Sequence, residues 1–275
     1  PQSQTFDPIR FEPTTSLVAG NYARNLVSVA DSLLIAATED GMYALNTIRK
    51  RWSRVTHLAG QNIFSFWYDA PVRQLWIGTY LNGYFCYQLP SAKPGAGPVN
   101  PLAWRLIRTG LNGYTILHIR PGPNGKTLWL ASDRGLVALK PHTGRFQLYA
   151  EPQGLANSFV YGSLTDVQNH IWLSTNRGLS RIDPATQTVK NFTPADGIQG
   201  YEFNGNAFVR AANGDMYFGG VNGFNRFQPD LFRSSFFNPL VHIYSFSVNE
   251  MPLAAYAYVD EVNRIDLTHD QNTLS

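Results

Sequence analysis

Ile171-Trp172-Leu173-Ser174-Thr175-Asn176-Arg177-Gly178-Leu179 decides the fold. It reads as an apolar run, two hydroxyl residues, a two-residue polar turn, then glycine and a second apolar run. Five residues before Ile171, Asp166 opens another turn that continues through Gln168-Asn169. Downstream, Asp183-Pro184-Ala185-Thr186 supplies a third. Asp, Asn and Pro favour tight turns because of their local hydrogen bonds and restricted backbone angles. The three turns cut the segment into four short strands: 159–165, 171–175, 179–182 and 188–192. No stretch carries an apolar period of 3.6 over helical length.

The pattern recurs along the chain. Leu33-Leu34-Ile35-Ala36-Ala37-Thr38 is followed by Gly41, and Leu75-Trp76-Ile77-Gly78-Thr79 by Gly83. Leu128-Trp129-Leu130-Ala131-Ser132 is followed by Gly135, and Met216-Tyr217-Phe218-Gly219-Gly220 by Gly223. The glycines are 42, 52, 43 and 45 residues apart. The longest step contains a Pro- and Gly-rich insertion at 91–101. Gly20-Asn21, Gly60-Gln61-Asn62, Gly110-Leu111-Asn112, Gly154-Leu155-Ala156-Asn157 and Gly197-Ile198 keep the same beat upstream. Four strands repeating every ~44 residues define a propeller blade. The expected fold is therefore all-β, a β-propeller of four-stranded blades. The five visible copies fit either a five-bladed ring, with residues 6–12 closing the last blade, or part of a seven-bladed one. Trp76, Trp129, Trp172 and Tyr217 share one repeat position, with Leu34 there in the first copy. Large aromatics recurring at one position are expected to pack blade against blade. The recurring glycines are expected to take positive φ after each turn.

Composition fits a folded core. Aromatic residues make up 13% and charged residues 15%, against a usual ~25% charged. The net charge of +3 is spread without a basic block, so nucleic acid is not an expected partner. No run approaches the ~18 apolar residues of a membrane helix, and no leader pattern stands out. The single cysteine, Cys86, excludes an intrachain disulfide framework. The chain opens at Pro1 and ends at Ser275 in a strand-like stretch, and it reads as a segment of something longer. After Pro229 the repeat stops. Residues 233–275 read as the start of a second β-rich domain, and residues 1–232 as the blades.

At these motifs the sequence resembles the regulator-propeller repeats of bacterial membrane sensors. Those repeats occur in hybrid two-component histidine kinases and in some diguanylate cyclases. The resemblance is carried by the stretch from Ile171 to Leu179, by Asp196-Gly197-Ile198-Gln199-Gly200-Tyr201-Glu202-Phe203-Asn204-Gly205, and by Tyr217-Phe218-Gly219-Gly220-Val221-Asn222-Gly223-Phe224-Asn225-Arg226-Phe227-Gln228-Pro229. The tail from Ile265 to Ser275 resembles the opening of the triple-tyrosine, immunoglobulin-like domain that follows such propellers. The resemblance implies a seven-bladed ring and a periplasmic ligand-sensing role. It also implies a homodimeric receptor, with the membrane reached only through parts outside these residues, and a cytoplasmic kinase or cyclase output. Its implied ligand class is the sugar oligomer.

No catalytic constellation accompanies these repeats. The six histidines form no His-x-x-x-His or His-Glu pair. Gly-x-Ser-x-Gly, phosphate-loop and dinucleotide fingerprints do not occur. The chain is expected to be non-enzymatic, with no metal and no cofactor. His118, among Ile116, Leu117 and Ile119, is expected to be a satisfied strand residue, and Asp166 a turn-capping one. A four-stranded meander brings the loop entering strand one and the turn between strands two and three to one end of the blade. That end carries Asn21, Tyr22, Arg24, Asn25, Asn62, Asn112, Asp133, Asn157 and Asn176, and its ligand-binding candidates are Tyr80, Asn82, Tyr114, Arg134, Arg177, Tyr201, Glu202, Asn204 and Asn222. Amides and guanidinium groups offer bidentate bonds, and tyrosines offer stacking, to a polar or hydroxyl-rich ligand. A protein-docking scaffold and a secreted propeller lyase are the competing functions, because the fold alone selects none of them.

Overall fold

The computed structural model describes residues 23–30, 33–90, 103–123 and 125–232, together with 247–248, 251–252 and 268–270. The chain divides into two compact units, Pro1–Phe232 and Arg233–Ser275.

The first unit is a five-bladed β-propeller. Blade one is β1 (Asn25–Ala30), β2 (Leu33–Thr38), β3 (Gly41–Asn46) and β4 (Arg51–Val55). Blade two is β5 (Ile63–Asp69), β6 (Gln74–Thr79), β7 (Tyr84–Gln88) and β8 (Arg105–Gly110). Blade three is β9 (Ile116–Pro121), β10 (Leu128–Ser132), β11 (Gly135–Leu139) and β12 (Phe146–Tyr149). Blade four is β13 (Val160–Thr165), β14 (Ile171–Thr175), β15 (Gly178–Asp183) and β16 (Thr188–Phe192). Blade five shows three strands among the described residues, β17 (Phe203–Arg210), β18 (Met216–Gly220) and β19 (Gly223–Phe227). Each sheet is an antiparallel meander in chain order. In the second unit β20 (Ser247–Val248) pairs with β21 (Met251–Pro252). Residues 6–12 and most of the expected immunoglobulin-like start lie outside the described residues.

The repeat motif has a physical cause. Where strand two ends in Ser or Thr, its hydroxyl donates to the glycine carbonyl across the turn. The distances are 2.9 Å for Thr38 to Gly41, 2.8 Å for Thr79 to Gly83, 2.7 Å for Ser132 to Gly135 and 2.8 Å for Thr175 to Gly178. Three of these hydroxyls also accept a turn N–H, from Asp40, Arg134 and Arg177. Every repeat glycine has positive φ, from 67° at Gly83 to 134° at Gly135, a region that L side chains avoid.

The core is a series of interblade seams. Trp76 packs with Ile116 and Leu130 of blade three. Trp129 packs with Val160, Ile171 and Leu173 of blade four, and Trp172 with Phe203, Met216 and Phe218 of blade five. One expectation needs correcting. Counted back from the Thr38–Gly41 turn, Ile35 and not Leu34 occupies the tryptophan register. Ile35 pairs with Ala44 as Trp172 pairs with Arg181, and Ile35 is fully buried. Five consecutive apolar residues, 33–37, hide this one-residue slip, which would turn every side chain to the other face.

The inner strands β1, β5, β9 and β13 follow one another around the axis, and β17 packs against β13. Blade five meets blade one through Asn206 Nδ2, which donates to the Arg24 carbonyl at 3.3 Å. The face of blade five that corresponds to the Trp172 face of blade four carries Tyr217 and Phe224, whose rings are 6.1 Å apart. Phe224 is 67% exposed.

Candidate functional site

The five blades converge on a cavity of about 420 Å³ at the loop end of the axis. Blade one contributes Arg24, and blade two Phe64, Tyr80 and Leu81. Blade three adds Thr115, Leu117 and Asp133; blade four adds Phe159 and Tyr161; blade five adds Gly205 and Asn206. Phe64, Leu117, Tyr161, Gly205 and Asn206 lie on inner strands, Arg24, Thr115 and Phe159 just precede them, and Asp133 sits in the β10–β11 turn. Tyr80 and Leu81 come instead from the β6–β7 turn, which is one residue longer than its counterparts. The extra residue forces Leu81 to φ 59°. Such a conformation is uncommon for a bulky side chain, and Leu58 and Leu111, outside the cavity, share it.

The lining alternates aromatic faces with polar groups. The Arg24 guanidinium lies 4.4 Å from the Phe64 ring centroid and pairs with Glu39. Its Nε is buried without a partner. Phe64 and Tyr80 are stacked at 6.2 Å, and Phe159 and Tyr161 lie 5.0 Å apart. Tyr161 Oη donates to Asn176 Oδ1 at 2.6 Å. Asp133 Oδ1 accepts the Thr115 N–H at 2.9 Å, and Thr115 Oγ1 accepts the Leu81 N–H at 3.3 Å. Blades two and three are thus tied together at the rim.

One residue further along, at His118 and Gly162, the inner strands are buried. The Phe208 ring lies on Gly162, where a Cβ would come within 2.0 Å of Cε1. It meets His118 edge-on at 4.6 Å. Arg120 Nε donates to His118 Nε2 at 3.1 Å, and the Ser163 N–H approaches Nδ1 at 3.4 Å. Burial, and then the Arg120 charge, push the His118 pKa down to about 3. His118 is neutral when folded but protonates near 6.5 when unfolded. The unfolded chain therefore binds the extra proton between these values. The stability that His118 confers is complete above pH 6.5 and is lost as pH falls toward 3. Urea titrations should show a slope of about 1.4 kcal/mol per pH unit in this window. His118→Gln should reduce it, leaving the part due to the hydrogen-bonded Asp183, Asp196 and Asp215, and an unchanged slope would contradict the assignment.

Of the candidates named from sequence, Tyr80 lines the cavity and is half exposed. The others stand on the surrounding rim or face outward. Arg134 lies over the Tyr114 ring at 4.8 Å. Asn82 Nδ2 donates to Gln61 Oε1 at 2.7 Å. Asn222 is held to Gln199 through two bonds. Arg177, Tyr201, Glu202 and Asn204 are exposed. Arg24 and Asp133, placed on this end by the strand order, do line the cavity. Phe64, Phe159, Tyr161 and Asn206 were missed. Phe64 and Phe159 each follow a landmark asparagine by two residues, at Asn62 and Asn157, and that spacing was the available signal.

Asp166 caps its turn through Oδ1, which accepts the N–H groups of Gln168 at 2.9 Å and His170 at 2.8 Å. Its Oδ2 accepts the Trp172 indole N–H at 3.0 Å. Among the described residues no group of three or more His, Cys, Asp and Glu side chains could hold a metal. No helix among them is long and apolar enough to cross a membrane.

No protein-family profile matches the chain. A stretch of 95 residues is 32% identical to "Histidine kinase P4" of Formosa agariphila, covering 34% of this chain and 7% of that protein. The fold is similar to that of the extracellular domain assigned to the hybrid two-component system BT3049 of B. thetaiotaomicron. That match has a TM-score of 0.64 and 23% identity, and it covers 76% of this chain and 28% of the other. A second extracellular domain from the same organism, BT4673, matches with a TM-score of 0.57 and 13% identity, over 75% and 27% of the two chains. The chain therefore spans a small part of each. The two structural likenesses are likenesses of fold.

Proposed function

We propose that this chain is the ligand-sensing propeller of a membrane-bound bacterial receptor, with the ligand held in the axial cavity. The observation that carries the proposal is the convergence of all five blades on one recess lined by aromatic faces, an arginine, a carboxylate and an amide. Mostly apolar walls with a few placed polar groups are what small-ligand sites require. Aromatic faces suit the C–H faces of sugar rings, and Arg24, Asp133 and Asn206 offer bonds to hydroxyl groups. The ligand class is accordingly a small or oligomeric polar molecule, with carbohydrate preferred. The similarity of one third of the chain to a histidine kinase supports a two-component output; a diguanylate cyclase is the other output the repeat wording allows. The domain itself performs no catalytic step. It would act in the periplasm as part of a homodimer, shifting a conformational equilibrium by its differential affinity for the ligand.

Titration of the purified chain with a panel of neutral and acidic oligosaccharides tests the site. Tyr80→Ala removes a half-exposed ring that stacks on Phe64. It should weaken the best binder about tenfold, or roughly 1.4 kcal/mol, while leaving the melting temperature unchanged. Arg134→Ala, on the rim, should have the smaller effect. Equal affinity in wild type and Tyr80→Ala would remove the cavity from the proposal.

A further inference from the structure

A second recess lies at the opposite end of the propeller, between blades three and four. Two adjoining cavities of about 480 and 330 Å³ share Thr127, Trp129 and Pro184 as lining. Comparison of the two blades shows what is special about it. In blade four the Trp172 indole N–H is satisfied by Asp166. In blade three the corresponding Trp129 Nε1 is buried with no acceptor.

The hairpin register explains the difference. Leu128 pairs with Pro121 as Ile171 pairs with Thr165, so Gly122 stands where Asp166 stands. The same closing bond is present, from Gly122 N to Thr127 O at 2.7 Å and from Asp166 N to His170 O at 3.1 Å. A Cβ on residue 122 would lie 3.1 Å from Trp129 Nε1. Glycine thus vacates the place from which a carboxylate would reach the indole. A buried donor left unpaired lowers stability until an acceptor arrives. Trp129 itself lines both cavities.

The surrounding groups define the acceptor. Lys140 Nζ sits 2.7 Å from Thr127 Oγ1, and Arg145 lines the smaller cavity. Both favour an anion beside Trp129. The larger cavity continues to Gln168, Asn169 and Asp183. The Asp183 carboxylate accepts from its own turn, from Ala185 N at 2.9 Å and Thr186 Oγ1 at 2.8 Å. That end repels a second anion and accepts hydroxyl donors. Pro123 and Pro184 supply flat apolar walls between the two ends.

We propose that this groove binds a sugar acid, its carboxylate taking the place of the Asp166 side chain against Trp129 Nε1 and its hydroxyls turned toward Gln168, Asn169 and Asp183. The inference rests on the comparison of blades three and four and is independent of the axial site.

The test follows the indole N–H signals of the ¹⁵N-labelled full chain during titration with D-glucuronate, D-glucose and acetate. The chain has six tryptophans. Trp129→Phe identifies the relevant signal, and sequential assignment identifies it should that variant fail to fold. Glucuronate should move the Trp129 signal downfield in a saturable manner, with glucose and acetate at least tenfold weaker. Lys140→Ala, at the surface, should weaken glucuronate severalfold. Gly122→Asp should shift the Trp129 signal without ligand and abolish the response. A Trp129 signal that stays fixed with glucuronate overturns the site. An equal response to glucose, or no change with Lys140→Ala, overturns the carboxylate assignment.

Discussion

Replacing Trp172 with alanine should lower the unfolding free energy by about 3–5 kcal/mol, the range for large aromatic deletions in a core. The side chain is 1% exposed. Its ring centroid lies 5.2 Å from that of Phe192, 4.7 Å from Phe227 and 5.3 Å from Phe232. Its N–H is one of the donors that hold Asp166 in place. Deletion opens a void in the seam between blades four and five and leaves a buried carboxylate short of a partner. Globular domains retain only about 5–15 kcal/mol in total, so the loss is severe. Blade five also carries Gly205 and Asn206 of the axial cavity, so ligand affinity should fall with stability. Trp172→Phe, which keeps a ring and loses the hydrogen bond, should cost about 1–3 kcal/mol. Urea unfolding of the three proteins checks the order. A loss below about 1 kcal/mol for Trp172→Ala would contradict the interblade role, since that is what ordinary substitutions cost.

Gly83→Ala should cost about 3 kcal/mol or more, because two mechanisms of severe destabilisation coincide. Gly83 has φ +67°, and a Cβ there would lie 2.1 Å from the Gly110 carbonyl oxygen and 2.4 Å from that of Leu111. Both obstacles are main chain, so no rotamer change relieves them. Gly223 holds the same place in blade five with φ +108°, but nothing lies within 4 Å of its Cβ position. Gly223→Ala should therefore cost only the conformational penalty, about 1–2 kcal/mol. The turn ahead of Gly83 supplies Tyr80 and Leu81, so Gly83→Ala should also weaken binding at the axial cavity. Comparable melting temperatures for the two variants would contradict the close approach at Gly83.

The blade architecture was legible because its turns use few residue types. The Ser/Thr-to-Gly hydroxyl bond and the positive-φ glycine recur at fixed spacing, and between them they mark the second and third strands. Blade four reads almost residue for residue, since Asp166 and Asp183 bound its hairpins. Blade one does not, because an unbroken apolar run from Leu33 to Ala37 gives no phase. The correct phase comes from counting back from Gly41. At the axis, strand order alone brings Tyr80, Arg24 and Asp133 to one end. The aromatics Phe64, Phe159 and Tyr161, on or next to inner strands, carry the same alternation as core residues, so pattern alone does not separate lining from packing. The contact of Phe208 with Gly162 and His118 joins three blades, and no local signal encodes it. The missing acceptor of Trp129 is likewise hidden, because the longer hairpin after Pro121 obscures that Gly122 aligns with Asp166.

Ligand is expected at the axis, among all five blades. The most direct measurement is a crystal structure of the chain bound to the tightest oligosaccharide from the titration panel. Density for the sugar is expected inside the axial cavity, stacked on Phe64, Tyr80 or Tyr161 and hydrogen-bonded to Arg24, Asp133 or Asn206. Density confined to the outer rim, around Arg177, Tyr201 and Asn222, with the axial cavity holding only water, would contradict it.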